Sequence, residues 1–151
     1  MNQELARFLE MKQKQAKSRE AIDWDLRRDQ YRQAVDSLYE QIDKILGESG
    51  QRANLVLRRR PKELTENYLG TYSIDDLILL IGDEQVRFSP CGRNVVGSTG
   101  RVDVLGDRAT AILVLGLESD WYWVASRQPE LKTVRLDEST LADVLRLVMR
   151  D

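Results

Sequence analysis

The chain contains no histidine and a single cysteine, Cys91. Without histidine, a serine or cysteine nucleophile has no imidazole base, and the commonest zinc ligand is missing. One cysteine cannot form an intramolecular disulfide or a CxxC pair, which suits a reducing compartment. These absences exclude most nucleophilic hydrolases and most zinc proteins. Carboxylate chemistry with magnesium is the enzymatic alternative that remains.

Long apolar segments are also missing. No segment approaches the roughly 20 apolar residues that span a bilayer, and the N-terminus, MNQELARFLEMKQKQ, lacks the apolar region of a signal peptide. The formal net charge of −2 gives no general attraction to nucleic acid or to anionic membranes. With 42% hydrophobic and 32% charged residues, the 151-residue chain has a globular composition. We therefore expect a cytoplasmic protein without a membrane span or a cofactor.

Residues 1–47 form a predicted helical arm. They contain no proline, their only glycine is Gly47, and most of them are strong helix formers. From Ala21 onward, apolar residues recur every three or four positions, which is the pattern of a coiled-coil seam. The pattern predicts one long helix or a helical hairpin. It also predicts a homodimer through the seam residues Tyr31, Val35, Leu38, Ile42 and Ile45.

The pattern changes after Gly50. Short stretches of alternating apolar and polar residues, separated by glycine-containing turns, predict about seven short strands in meander order. Asp137 is the predicted N-cap of a C-terminal helix. The predicted fold class is α+β: a helical arm over residues 1–47, then an antiparallel meander or barrel over residues 51–151, closed by that helix. The apolar stripe of the C-terminal helix comprises Leu141, Val144, Leu145 and Val148.

A basic run follows the arm and includes three consecutive arginines. Clustered arginines are typical of surfaces that bind nucleic acid or phospholipid, but adjacent residues of a strand point to opposite faces, which splits such a patch. Pro61 indicates either a short helical turn or an edge strand protected by charge. Two tryptophans on one face of a later strand are either core residues or a binding platform. The candidate binding residues are Arg58, Arg59, Arg60, Lys62, Trp121 and Trp123, with Arg52 beside them.

Asp103 and Glu118 frame a strand–turn–strand segment that resembles, in part, the metal site of restriction-type nucleases. In that family an Asp and a Glu hold magnesium, and a lysine two residues after the Glu assists the attacking water. This chain has Asp120 at the lysine position. The resemblance implies a divalent-metal nuclease or its inactive descendant, with Asp103, Glu118 and Asp120 as metal ligands.

The function that the sequence favours is different. It is a non-enzymatic interaction or assembly protein, without catalytic residues, whose partner is another protein or a second copy of the chain. The observation that favours this function is the length of the helical seam, which is greater than one small sheet would be expected to cover. A nucleic-acid- or phospholipid-binding module is the remaining alternative, because of the basic run.

Overall fold

The computed structural model describes residues 2–49, 54–92 and 100–150, with the side chains of helix residues 3–15 and 24–47. The chain forms a long helix, seven antiparallel strands and a second helix, which confirms the α+β prediction. The elements are α1 (Asn2–Ser49), β1 (Leu55–Glu66), β2 (Gly70–Ile81), β3 (Glu84–Gly92), β4 (Arg101–Leu105), β5 (Thr110–Leu115), β6 (Trp121–Ser126), β7 (Lys132–Arg135) and α2 (Glu138–Val148).

The strands form one sheet in the order β1 to β7, so each strand pairs with its neighbours in sequence. Among the described strands, β1 pairs only with β2 and β7 pairs only with β6, and the sheet is open. The barrel considered as an alternative to a meander is therefore wrong. Closure would require the four residues of β7 to cover the twelve residues of β1, where Pro61 lacks a backbone N–H group.

The two described helices lie against one face of the sheet, which we call the inner face. The most buried strand residues of this face join the buried residues of both helices in one hydrophobic core. We call the opposite face the outer face; side chains of each strand point alternately to the inner and the outer face. The fully buried residues of the inner face are Leu79, Val86, Phe88, Val102, Val104 and Leu113.

Helix α2 begins as the sequence predicts. The Asp137 carboxylate accepts a hydrogen bond from the backbone N–H of Thr140 at 2.8 Å. This bond satisfies one of the unpaired donors at the helix start, and it lowers the pKa of the Asp137 carboxyl. The predicted apolar stripe is the buried face of the helix, with Leu141, Val144 and Val148 in the core.

Strands β1 and β2 extend beyond the sheet. All twelve residues of β2 pair with β1, but only Leu77–Ile81 also pair with β3. The remaining part of the hairpin is a two-stranded ribbon, and we call residues 61–76 the ribbon. At its tip, the ring of Tyr68 stacks on Trp24 of α1 with a centroid distance of 5.0 Å. The ribbon and the sheet therefore both contact α1, from different directions.

Candidate functional site

The seam predicted on α1 lies against the sheet of the same chain. Tyr31, Val35, Leu38 and Ile42 are fully buried, and Ile45 is partly buried against the same core. The first four side chains consequently have no exposed surface in the single chain. This half of the predicted arm and the β-sheet share one hydrophobic core.

Tyr39, a buried residue of α1, occupies the fork where β2 and β3 separate. The Tyr39 hydroxyl donates to the carbonyl of Asp75 at 2.6 Å and lies 3.3 Å from the carbonyl of Phe88. Backbone groups of diverging strands cannot bond each other, and an unpaired buried carbonyl is costly. The tyrosine hydroxyl thus replaces part of the missing strand ladder. Burial raises the pKa of Tyr39 far above its ordinary value, which keeps the hydroxyl protonated.

Tyr31 has the same role further along the sheet. Its hydroxyl donates to the carbonyl of Arg101 at 2.7 Å and accepts from the N–H of Gly92 at 3.1 Å. Burial again raises the pKa of this hydroxyl strongly. On the other side of α1, the Trp121 indole donates to the carbonyl of Ala34 at 3.0 Å. Directional bonds therefore fix the second half of α1 to strands at both ends of the sheet.

The first part of α1 has a different environment. Every side chain from residue 3 to residue 15 is exposed, although the backbone is helical throughout. Leu5, Phe8 and Leu9 follow the i, i+3, i+4 spacing that places side chains on one side of a helix. The exposed apolar residues are Leu5 (61% exposed), Phe8 (50%), Leu9 (52%) and Met11 (47%). We call residues 3–15 the exposed helix segment.

The structure divides the basic run between the two faces of the sheet. Arg59 reaches α1, where its guanidinium lies 2.9 Å from the Asp36 carboxylate and 5.2 Å from the centre of the Tyr39 ring. Its neighbours Arg58 and Arg60 are exposed. Because successive strand residues alternate, these two arginines point to the outer face. Arg52 lies outside the described residues.

Lys62 is also engaged within the chain. Its ammonium group lies 2.7 Å from the buried carboxylate of Asp76 and donates to the Ser89 hydroxyl at 2.7 Å. A lysine next to a serine can serve as a base in some hydrolases, but only as the neutral amine. Here the Lys62 nitrogen is bound by the Asp76 carboxylate as well as by Ser89. This cluster therefore links the ribbon to β3 rather than activating Ser89.

Register reveals an outer-face arginine that the sequence did not suggest. Arg58 of β1 pairs with Ile78 of β2, and Ile78 pairs with Arg87 of β3. Directly paired residues share a face, so two arginines flank one isoleucine across three strands. The available signal was the position of Arg87 between two strand residues, Val86 and Phe88, that face the core.

The two candidate tryptophans differ in burial. Trp121 is buried, and its indole nitrogen is bonded to α1. Trp123 is partly buried and packs against the same core.

The three candidate metal ligands differ in their surroundings. Asp103 lies between the buried residues Val102 and Val104, hence on the outer face, where Arg101 binds its carboxylate at 2.7 Å. Glu118 is exposed in the β5–β6 turn. Asp120 pairs with Arg135 at 3.3 Å. Within the described ranges, no three His, Cys, Asp or Glu side chains are grouped so that they could hold a metal ion.

Asp120 and Arg135 border a cleft of about 420 Å³ between α1 and the β6–β7 end of the sheet. Ser37 and Gln41 of α1 contribute to its wall. Among the described residues that line the cleft, the one charged side chain besides this ion pair is that of Asp137, which caps α2. These lining residues include no cation without a carboxylate partner.

Cys91 has the properties of an unreactive thiol. Partial burial raises the pKa of its sulfur, and the nearby Asp103 carboxylate raises it further. The thiol donates weakly to the carbonyl of Ser89 at 3.5 Å. A reactive cysteine needs the opposite environment, one that stabilises the thiolate.

Comparison of the chain with known protein families, curated proteins and solved structures gave no significant match. Neither helix, over the residues described, is long and apolar enough to cross a membrane. Two surfaces that the other described residues do not bury are the exposed helix segment and the outer face of the sheet.

Proposed function

We propose that this protein is a non-enzymatic, cytoplasmic interaction protein that assembles by pairing its exposed helix segment with that of a second copy. The observation that carries the proposal is the run of thirteen helical positions, residues 3–15, at which every side chain is exposed. Full burial of a large apolar side chain contributes about 1.5–3 kcal/mol, and four such side chains are about half exposed here. The single free cysteine suits a reducing compartment.

The stability of the segment itself supports a partner. Isolated helices shorter than about 12–15 residues are marginal in water, since most helical stability comes from packing of an apolar face. Residues 3–15 are not buried by any other part of the chain that the structure describes. Pairing with another helix would supply that contact and cover the stripe formed by Leu5, Phe8 and Leu9.

Sedimentation equilibrium over a series of concentrations tests the assembly. We expect the unmodified chain to approach twice its 17.4 kDa mass, and the Leu5→Asp/Leu9→Asp variant to remain monomeric. The matched control is Leu26→Asp/Leu117→Asp, which makes the same chemical change at two exposed leucines outside the segment. A monomeric parent chain, or a control that dissociates equally, would contradict the proposal.

A further inference from the structure

We infer that the outer face of strands β1–β3 is a second binding surface, whose ligand is an acidic segment of another protein that also carries aliphatic side chains. We call this surface the arginine face. It consists of Val56, Arg58, Arg60, Ile78, Leu80 and Arg87.

The register brings the three arginines together. Arg58, Ile78 and Arg87 form one row across the three strands, because each is directly paired with the next. Arg60 is two residues along β1 from Arg58 and therefore lies on the same face. Neighbouring strands lie about 4.8 Å apart, so a single bound segment can reach all three guanidinium groups.

These arginines form no ion pair within the described residues. Asp76 of β2 is directly paired with Arg60 in the sheet, but its carboxylate binds the ammonium group of Lys62. In the parts of the chain that the structure describes, none of the three has an ion-pair partner, whereas Arg59 and Lys62 beside them are paired. They contribute +3 on one face of a chain whose formal net charge is −2. A second copy presenting the same face would be repelled, and an acidic partner would be attracted.

The aliphatic residues between the arginines indicate that the ligand also carries apolar side chains. Ile78 and Leu80 are only partly buried, and neither belongs to the hydrophobic core or packs against it. Val56 is 46% exposed. This surface carries no aromatic ring on which a nucleobase could stack, and phosphate contacts alone would leave its aliphatic part uncovered. Carboxylates flanked by leucine or isoleucine match both features.

Strand addition at the adjacent sheet edge is a less suitable mode. β1 is an edge strand, and Pro61 removes one of its backbone donors. Binding would therefore use side chains of the face rather than the backbone of the edge.

NMR titration of the ¹⁵N-labelled full chain tests this inference. The probe is a synthetic amphipathic peptide of leucine and glutamate, and the comparison probe carries lysine in place of glutamate. We expect the acidic peptide to shift the amide signals of β1–β3 and the basic peptide to leave them unchanged. Reversal of two charges, in Arg58→Glu/Arg87→Glu, should weaken binding about tenfold or more.

Two controls keep the result specific. Arg127→Glu/Arg146→Glu makes the same charge change at exposed arginines elsewhere and should bind like the parent chain. The Leu5→Asp/Leu9→Asp variant should also keep its affinity, because binding at the arginine face does not involve the exposed helix segment. If charge reversal unfolds the sheet, Arg58→Gln/Arg87→Gln serves in its place.

Several outcomes would overturn the inference. They are absence of binding by the acidic peptide, equal binding by the charge-reversed variant, or loss of binding in the Leu5→Asp/Leu9→Asp variant. Tighter binding of a single-stranded oligonucleotide, falling steeply with salt, would identify a nucleic-acid surface instead. Tighter binding of phosphatidylserine vesicles would identify a membrane surface instead.

Discussion

Replacement of Leu38 by alanine tests what covers the seam of α1. The seam is covered either by the sheet of the same chain or by a second chain. Leu38 is fully buried on α1, whereas Leu26 on the same helix is 53% exposed. Leu38→Ala should lower the free energy of unfolding by about 2–5 kcal/mol, since it removes buried methyl groups and leaves a cavity. Leu26→Ala should change it by no more than about 0.5 kcal/mol.

Urea unfolding followed by tryptophan fluorescence measures this difference. Trp121 donates its indole N–H to α1 at Ala34, one turn from Leu38, so its emission reports on the docking of the helix. With a slope of about 1–3 kcal/mol per molar urea, the expected penalty moves the midpoint by roughly 1–2 M. Sedimentation equilibrium of the same samples gives the mass.

The result that refutes the argument is specific. If a second chain covered the seam, Leu38→Ala would lower the mass in solution, and its penalty would depend on protein concentration. A penalty no larger than that of Leu26→Ala would equally show that the sheet does not cover Leu38.

Two further predictions concern ionisable groups. Burial raises the pKa of Tyr31, Tyr39 and Tyr72, whereas unfolded tyrosines ionise near pH 10. Below about pH 10 these tyrosines should not change the free energy of unfolding. Above that pH the free energy should fall by about 1.4 kcal/mol per pH unit for each tyrosine, because only the unfolded state loses the proton. Absorbance at 295 nm should show that the three tyrosines ionise only when the protein unfolds. Cys91 should react with iodoacetamide more slowly than a free cysteine at pH 8, and Asp103→Asn should accelerate it, because the Asp103 carboxylate helps to raise the pKa of the thiol. An unchanged rate in Asp103→Asn would contradict that assignment.

The features that follow from local pattern could be predicted from the sequence. Alternation of apolar residues located the strands, and Asp137 marked the start of α2. Each of these depends on neighbours within a few residues, so the chain alone carries the information. The helical spacing of the α1 seam is local in the same sense, but the identity of the surface that covers it is not.

Pro61 illustrates the limit. Its position before a polar stretch was compatible with a helical turn, but the residue lies in the middle of β1. A proline is tolerated there because β1 is the edge of the sheet, where one side of the strand has no partner whose acceptor needs an N–H group. Whether a strand is at an edge depends on the order of the whole sheet. The order of the whole sheet also decides whether the sheet closes into a barrel. It likewise decides whether Arg58, Ile78 and Arg87 form a row.

The bond between Trp121 and Ala34 joins residues 87 positions apart, and it also has a consequence for synthesis of the chain on the ribosome. At about 5–20 residues per second, translation needs roughly 4–17 s to progress from one partner to the other. During that interval α1 has been made, but the sheet that covers its apolar stripe is incomplete. Helix α1 is therefore translated before the strands that enclose it, and the nascent helix presents Tyr31, Val35 and Leu38 to chaperones or to neighbouring chains until those strands have formed.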